Sequence, residues 1–242
     1  MHSQSSSTHS YSTSGSTGHV FLNPFWVTGF TDAEGSFTCI ISQRPTGAWR
    51  ITLSFELNLH VKDIAILYRL KSFFGCGNVT SRTSRNIAVY RVTKLGDIIN
   101  IIIPHFIAYP LASHKQLDFN LWSFIANKMV SGTHTTSTGF ELLLTYYAAI
   151  NTGISNKVAI AFPNITPVWR GIAVLPNALN PYWVSGFIAG DGCFNVGVRA
   201  TGALYYTMNV AQHIRDLDMM RMLVTFFGCG AVYPRALLNR CD

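Results

Sequence analysis

Charge is scarce in this chain: only 12% of its 242 residues are Asp, Glu, Lys or Arg, and no Lys or Arg occurs before Arg44. A start without basic residues argues against both an Arg-rich transit peptide and the opening of a secretory signal. Long apolar runs are missing as well. The most apolar stretch, Ile98 to Ala112, is broken by Asn100, Pro104 and His105, so a soluble protein with no membrane partner is expected. A basic amphipathic helix, the usual device for lying on a membrane surface, is not found either. Five cysteines, Cys39, Cys76, Cys193, Cys229 and Cys241, form no C-x-x-C pair, and the eight histidines form no H-x-x-x-H pair. That excludes zinc-ligand spacing and a disulfide framework, and leaves reduced, mostly buried thiols in an intracellular setting as the expectation.

What is present is apolar material and a basic excess. A hydrophobic fraction of 48% excludes disorder for most of the length. Residues 1–19 are the exception, being Ser, Thr, Gly and His with almost nothing to bury, and are read as a flexible tail. Lys plus Arg number 18 against 11 for Asp plus Glu, a net charge of +7, which favours a polyanionic partner.

The strongest signal is an internal repeat. Leu22-Asn23-Pro24-Phe25-Trp26-Val27-Thr28-Gly29-Phe30 returns as Leu179-Asn180-Pro181-Tyr182-Trp183-Val184-Ser185-Gly186-Phe187, and the match runs on to Glu34-Gly35 and Asp191-Gly192, offset by 157 residues. A second echo, Phe73-Phe74-Gly75-Cys76-Gly77 against Phe226-Phe227-Gly228-Cys229-Gly230, is offset by 153. Same order and near-equal spacing predict two similar units in tandem, the second with a shorter loop. The domain boundaries read from this are 20–160 and 179–242. The linker between them is placed at 161–178, within a stretch from Asn151 to Asn177 that carries Pro163, Pro167 and Pro176.

Each unit opens with a helix: Asn23 and Asn180 suit the N-cap, Pro24 and Pro181 the first helical position, and Gly35 and Gly192 a stop with positive φ. Gly29 and Ala33, like Gly186 and Gly190, fall one turn apart and leave a flat stripe on which two helices can pack closely. From Arg50 to Leu59 polar and apolar residues alternate, a half-buried strand paired with Phe37 to Arg44 through the turn at Pro45-Thr46-Gly47. The second copy has Val196 to Arg199, a turn at Thr201-Gly202, then Tyr205, Thr207 and Asn209 facing outward. Further elements are a helix from Asp63 to Phe74, strands at 78–82 and 87–93, and helices from Gly96 to Ile103, Lys115 to Met129 and Gly139 to Ile150. The fold class is α+β: two pseudo-symmetric units, each an antiparallel sheet backed by helices. The first copy continues for more than 70 residues past Val79, whereas 10 residues follow Val232. The second unit is therefore expected to be C-terminally incomplete, without counterparts of the last two strands and the final helices.

Glu34 and Asp191 end their helices, where a negative charge opposes the macrodipole. If the two helices meet along their small-residue stripes, the carboxylates emerge side by side. A divalent cation would relieve both the dipole and the like-charge penalty, and oxygen ligands from two acids suit Mg²⁺.

These residues resemble the two motifs of a single-chain LAGLIDADG homing endonuclease. The resemblance rests on Val27 to Gly35 and Val184 to Gly192, with Tyr109-Pro110-Leu111 and His114-Lys115-Gln116 in support, and covers the chain from about Leu22 onward. It implies a monomer acting as a pseudo-dimer, in which the motif helices form the seam and each half lays its sheet along the major groove of double-stranded DNA. It also implies that Glu34 and Asp191 bind Mg²⁺ or another divalent cation for phosphodiester hydrolysis. Lys115 would stabilise charge or organise water, and Gln212 matches a water-organising position. Asp32 matches the first motif acid, replaced by Ala189 in the second copy. The outward strand residues would read DNA: Arg44, Arg50, Thr52, Ser54, Glu56, Asn58, Thr80, Arg82 and Arg91, then Arg199, Tyr205, Thr207 and Asn209. Such proteins are commonly encoded within organelle introns, which implies synthesis in a mitochondrion. Two alternatives stand beside cleavage: a catalytically impaired or truncated DNA-binding relic, and a maturase that assists splicing of group I intron RNA.

Overall fold

The computed structural model describes residues 22–151 and 153–242; the expected tail at 1–19 lies outside them. Helix α1 (Pro24–Glu34) leads directly into strands β1 (Gly35–Gln43) and β2 (Trp49–His60), followed by α2 (Ile64–Phe74), β3 (Asn78–Arg82) and β4 (Ile87–Val92). These strands form one antiparallel sheet in the order β1-β2-β4-β3. A helical layer backs it: α3 (Leu95–Asp97), a π-helical turn (Ile98–Ile102) and α4 (Ile103–Ala108), then α5 (Lys115–Val130) and α6 (Ser137–Tyr147). The chain from Leu95 runs on as helix to Ala108, past the expected stop at Ile103. The wide turn just before Pro104 absorbs the missing proline N–H. Phe37 lies at the centre of the core, with ring centroids of Phe55, Phe106, Phe119 and Trp122 all 5.2 to 5.4 Å away.

A short helix α7 (Asn156–Ala161) opens the connection to the second copy, which contains α8 (Pro181–Asp191), β5 (Gly192–Val198), β6 (Leu204–Val210), β7 (Gln212–His213) and α9 (Leu217–Phe227). Two more strands follow, β8 (Pro234–Arg235) and β9 (Arg240–Cys241), paired in the order β7-β9-β8. The expectation that the last two strands have no counterparts is therefore corrected. Pro234 pairs with Cys241 as Ser81 pairs with Ala88, and Arg235 with Arg240 as Arg82 with Ile87. Even the turns agree, with Asn86 and Asn239 at positive φ of 53° and 50°. These strands are shorter because β7 and β9 carry two residues each of the ladder that the first copy builds from six. Among the described residues no second set of helices equivalent to α4, α5 and α6 follows them.

The helix starts behave as read: the side-chain oxygens of Asn23 and Asn180 each accept from the N–H two residues on at 2.9 Å. The stops do not. Gly35 and Gly192 have φ of −82° and −77°, extended values open to any residue. What requires glycine is the close approach of the helix's own last turn: a Cβ on Gly35 would lie 2.5 Å from the Thr31 methyl, and one on Gly192 2.5 Å from the Ile188 carbonyl oxygen. The thiols also depart from expectation: all five are free, but only Cys39 and Cys241 are buried, while Cys193 and Cys229 are exposed. Among the described residues no helix is long and apolar enough to cross a membrane.

Candidate functional site

The site is built where α1 and α8 cross. A Cβ on Gly29 would sit 2.0 Å from the Trp183 carbonyl oxygen, and one on Gly186 2.1 Å from that of Trp26, so each glycine receives the backbone of the other helix. Trp26 stacks on Phe30 and Trp183 on Phe187 at centroid distances of 5.0 and 4.8 Å, a matched pair about the seam. Such an approach is open only to residues without a side chain. It brings the two helix C-termini together: Glu34 packs against Gly190, its Oε1 3.7 Å from where a Cβ on that glycine would be, one residue from Asp191.

Both acids are half-buried, and burial pushes their carboxyls above the usual range. The charge of Asp191 raises Glu34 further, while Lys115 opposes the shift at both acids. Gln212 donates its side-chain N–H to Asp191 Oδ2, so the second-copy strand end meets the acid. A shallow concavity opens beside them, lined by Ala33, Asp191, Gln212, His213, Asn239 and Arg240. No cluster of three or more His, Cys, Asp or Glu is assembled among the described residues. The donor set is two carboxylates near a solvent opening, which fits Mg²⁺: that ion keeps several waters and takes one or two protein carboxylates together with substrate phosphate oxygens.

Lys115 is placed differently from a solvent lysine. Its ammonium donates to the carbonyls of Thr31 and Asp32 at 2.8 Å and of Ala33 at 3.4 Å. Three donors thus meet the last carbonyls of α1, the negative end of that helix, next to Glu34. Burial lowers its pKa, opposed by the charges of Asp32, Asp191, Glu34 and Asp216. Asp32 is buried and acts as a joint. It accepts from Ala112 N–H (2.8 Å), Ser113 N–H (3.3 Å), the Ser113 hydroxyl (2.5 Å) and the Trp183 indole N–H (2.8 Å). Burial raises its pKa against the Ser113 hydroxyl, the Ala112 N–H, the Lys115 charge and the Trp183 indole, which all oppose the shift.

The strand residues expected to read DNA fall on one face in the first copy. Register places Arg50, Thr52, Ser54, Glu56 and Asn58 of β2 beside Arg91 of β4 and Thr80 and Arg82 of β3. Arg50, Asn58, Thr80, Arg82 and Arg91 are exposed, as is Arg44 at the hairpin. Ser54 is a correction: it is only 2% exposed and donates its hydroxyl to Glu56 at 2.6 Å, so it has no free surface to offer. Glu56 is also tied to Arg91, whose Nη2 donates to the other oxygen, Oε2, at 3.0 Å and whose Nε lies 2.9 Å from Oε1, and it orients that guanidinium instead of facing outward freely. In the second copy Tyr205, Thr207 and Asn209 share a face with Asn195, and the Arg199 guanidinium lies over the Tyr205 ring at 6.0 Å. Ile40 and Ile87 also stand exposed on the polar face of the first sheet, where alternation hid them among polar neighbours. The sequence marks Asp32 only by its motif position and gives Asp216 no site role. Their contacts lie 80 and 102 residues away in sequence, beyond any local signal.

The sequence pattern of the LAGLIDADG endonuclease family matches residues 27–126 and 184–239, one stretch in each copy. The Neurospora crassa protein named "Probable intron-encoded endonuclease 2" is 33% identical over 226 residues, covering 87% of this chain and 49% of that protein. The Mycosarcoma maydis "Probable intron-encoded DNA endonuclease 1" is 28% identical over 86% of this chain and 82% of its own length. Against several of these curated relatives the chain spans about half of their length or less. Among solved structures, the LAGLIDADG homing endonuclease I-GzeII in complex with its DNA target aligns with TM-score 0.85 and 33% identity over 91% of this chain and 77% of that one. I-SmaMI bound to uncleaved DNA target in the presence of calcium ions aligns with TM-score 0.85 and 30% identity, covering 91% and 78%.

Proposed function

This chain belongs to the LAGLIDADG endonuclease family, and from that membership we propose that it is a site-specific double-strand DNA endonuclease of the intron-homing type. It hydrolyses phosphodiester bonds with a divalent cation, Mg²⁺ by preference, held by Glu34 and Asp191, and works as a monomer synthesised in the mitochondrion. The observation that carries this reading is the seam itself, two helices packed glycine to backbone so that Glu34 packs against Gly190, one residue from Asp191, which lines the opening.

A divalent cation bound there supplies activation of water and stabilisation of charge on the phosphate. The chain's own residues supply placement. Gln212 holds Asp191 Oδ2, among the described residues no hydrogen bond takes the other oxygen, and Lys115 neutralises the α1 terminus, which lowers the repulsion felt by Glu34. The two sheets, with Arg44, Arg50, Thr52, Asn58, Thr80, Arg82 and Arg91 on one and Arg199, Tyr205, Thr207 and Asn209 on the other, meet phosphates and base edges in the groove.

A plasmid carrying a candidate intron-insertion site, incubated with Mg²⁺, is expected to be linearised. Glu34→Gln and Asp191→Asn are each expected to slow double-strand cutting by on the order of a hundredfold while DNA binding persists. Unchanged cutting in either variant overturns the metal-site assignment.

A further inference from the structure

Four consecutive N–H groups at the start of α5 are each taken by a side chain. Ala112 and Ser113 donate to Asp32, His114 donates to Asp216 Oδ1 at 2.7 Å, and Lys115 donates to the Ser113 hydroxyl at 3.2 Å. Of these, the His114 and Lys115 N–H groups are donors that the helix start leaves unpaired, Ala112 and Ser113 lie just before it, and two carboxylates at that end also suit its dipole. The two acids come from opposite sides of the seam: Asp32 lies on α1, and Asp216 lies just before α9 in the second copy. Asp216 is 5% exposed and its Oδ1 also meets His114 Nδ1 at 3.1 Å, which fixes the ring proton on that nitrogen. Oδ2 faces the Arg215 guanidinium at 3.7 Å.

We propose that Asp216 is a positioning residue for Lys115: by gripping His114 from the second half, it fixes the backbone from which the Lys115 ammonium reaches the end of α1 beside Glu34. The repeat supplies an internal control. Asp63 occupies the same place in the first copy, and among the described residues its side chain makes no hydrogen bond or ion pair and stays partly exposed. The grip is thus not a by-product of the repeated turn, but arises where a His-Lys segment is present to be held. It makes one acidic residue of the second half part of the machinery set on the first.

The inference rests on the endonuclease reading, so its test has one readout that depends on cleavage and one that does not. In Asp216→Ala the maximal single-turnover cleavage rate is expected to fall about tenfold or more, as loss of orientation does, with DNA affinity little changed. Asp216→Asn, which keeps an oxygen for the His114 N–H, is expected to restore most of that rate. Independently, amine acylation read by mass spectrometry is expected to show Lys115 protected in the wild type and labelled faster in Asp216→Ala, with exposed Lys62 unchanged. Equal Lys115 labelling in both proteins overturns the inference. So does a loss of cleavage matched by an equal loss of DNA binding and not rescued by Asn. If the wild type cuts no DNA, the endonuclease reading falls and the labelling alone decides the positioning role.

Discussion

His105 is ringed by Phe73, Phe74, Phe106 and Tyr109, with centroids 4.8 to 5.4 Å from its own. The Thr28 hydroxyl donates to the Tyr109 carbonyl at 2.9 Å, so its remaining capacity is to accept from His105 Nε2–H at 3.2 Å. No carboxylate pairs with the ring, and burial pushes its pKa down to about 4. The unfolded chain therefore takes up this proton at a higher pH than the folded one. The ring's contribution is fully present above about pH 6.5 and is lost as pH falls toward 4, on the order of 3 kcal/mol in total. Glu34, Asp32 and Asp191 have raised pKa values and act in the opposite sense, so the test is a difference. Urea unfolding of wild type and His105→Asn at pH 7 and pH 4.5 is expected to show the wild-type advantage shrinking at the lower pH. A constant difference would show that the ring takes up its proton at the same pH in the folded and unfolded chain.

At the scale of elements, the seam between α1 and α8 is set by backbone contact. Gly29→Ala or Gly186→Ala would bring a methyl to about 2 Å from a carbonyl oxygen of the partner helix, and no rotamer can move a Cβ. Separation of the helices is the remaining response, with a cost of roughly 2 to 3 kcal/mol and a drop in melting temperature of about 2 to 4 °C per kcal/mol. Gly96→Ala is the matched control: no atom lies within 4 Å of its Cβ position, and in a helix the exchange is expected to be neutral or to stabilise by up to about 1 kcal/mol. Thermal denaturation of the three variants checks this. Equal melting temperatures would mean that the seam is looser than the packing indicates. The small-residue stripes were legible as one-turn spacings in both copies, because helix geometry turns spacing into a face. The Trp183 indole reaching Asp32 was not, because its partner lies 151 residues away.

For the whole molecule, the two sheets differ in what covers them. In the first copy Phe37, Cys39, Ile41, Ile51, Leu53 and Phe55 are buried under the helical layer. Their counterparts Phe194, Val196, Val198, Leu204, Tyr206 and Met208 all lie exposed on one face of the β5–β6 hairpin. A contiguous apolar face of this kind binds apolar probes. Val196→Thr combined with Tyr206→Ser is expected to lower dye binding by exposed apolar surface, with the first-half core unaffected. Unchanged dye binding would mean that some other part of the chain covers that face in solution.

The sequence by itself determined the repeat, the order of helices and strands in the first copy, the paired acids Glu34 and Asp191, and the face from which Arg50, Asn58, Thr80 and Arg82 project. All of these are written in local spacing, 2 residues for a strand and 3.6 for a helix. Only the tertiary structure decided that Lys115 caps α1, that Ser54 is closed off by Glu56, and that Asp32 and Asp216 hold the start of α5 from opposite halves. These depend on hydrogen bonds between residues brought together by the α1–α8 seam, and a close approach of two backbones is a property of the folded chain that no spacing along it encodes.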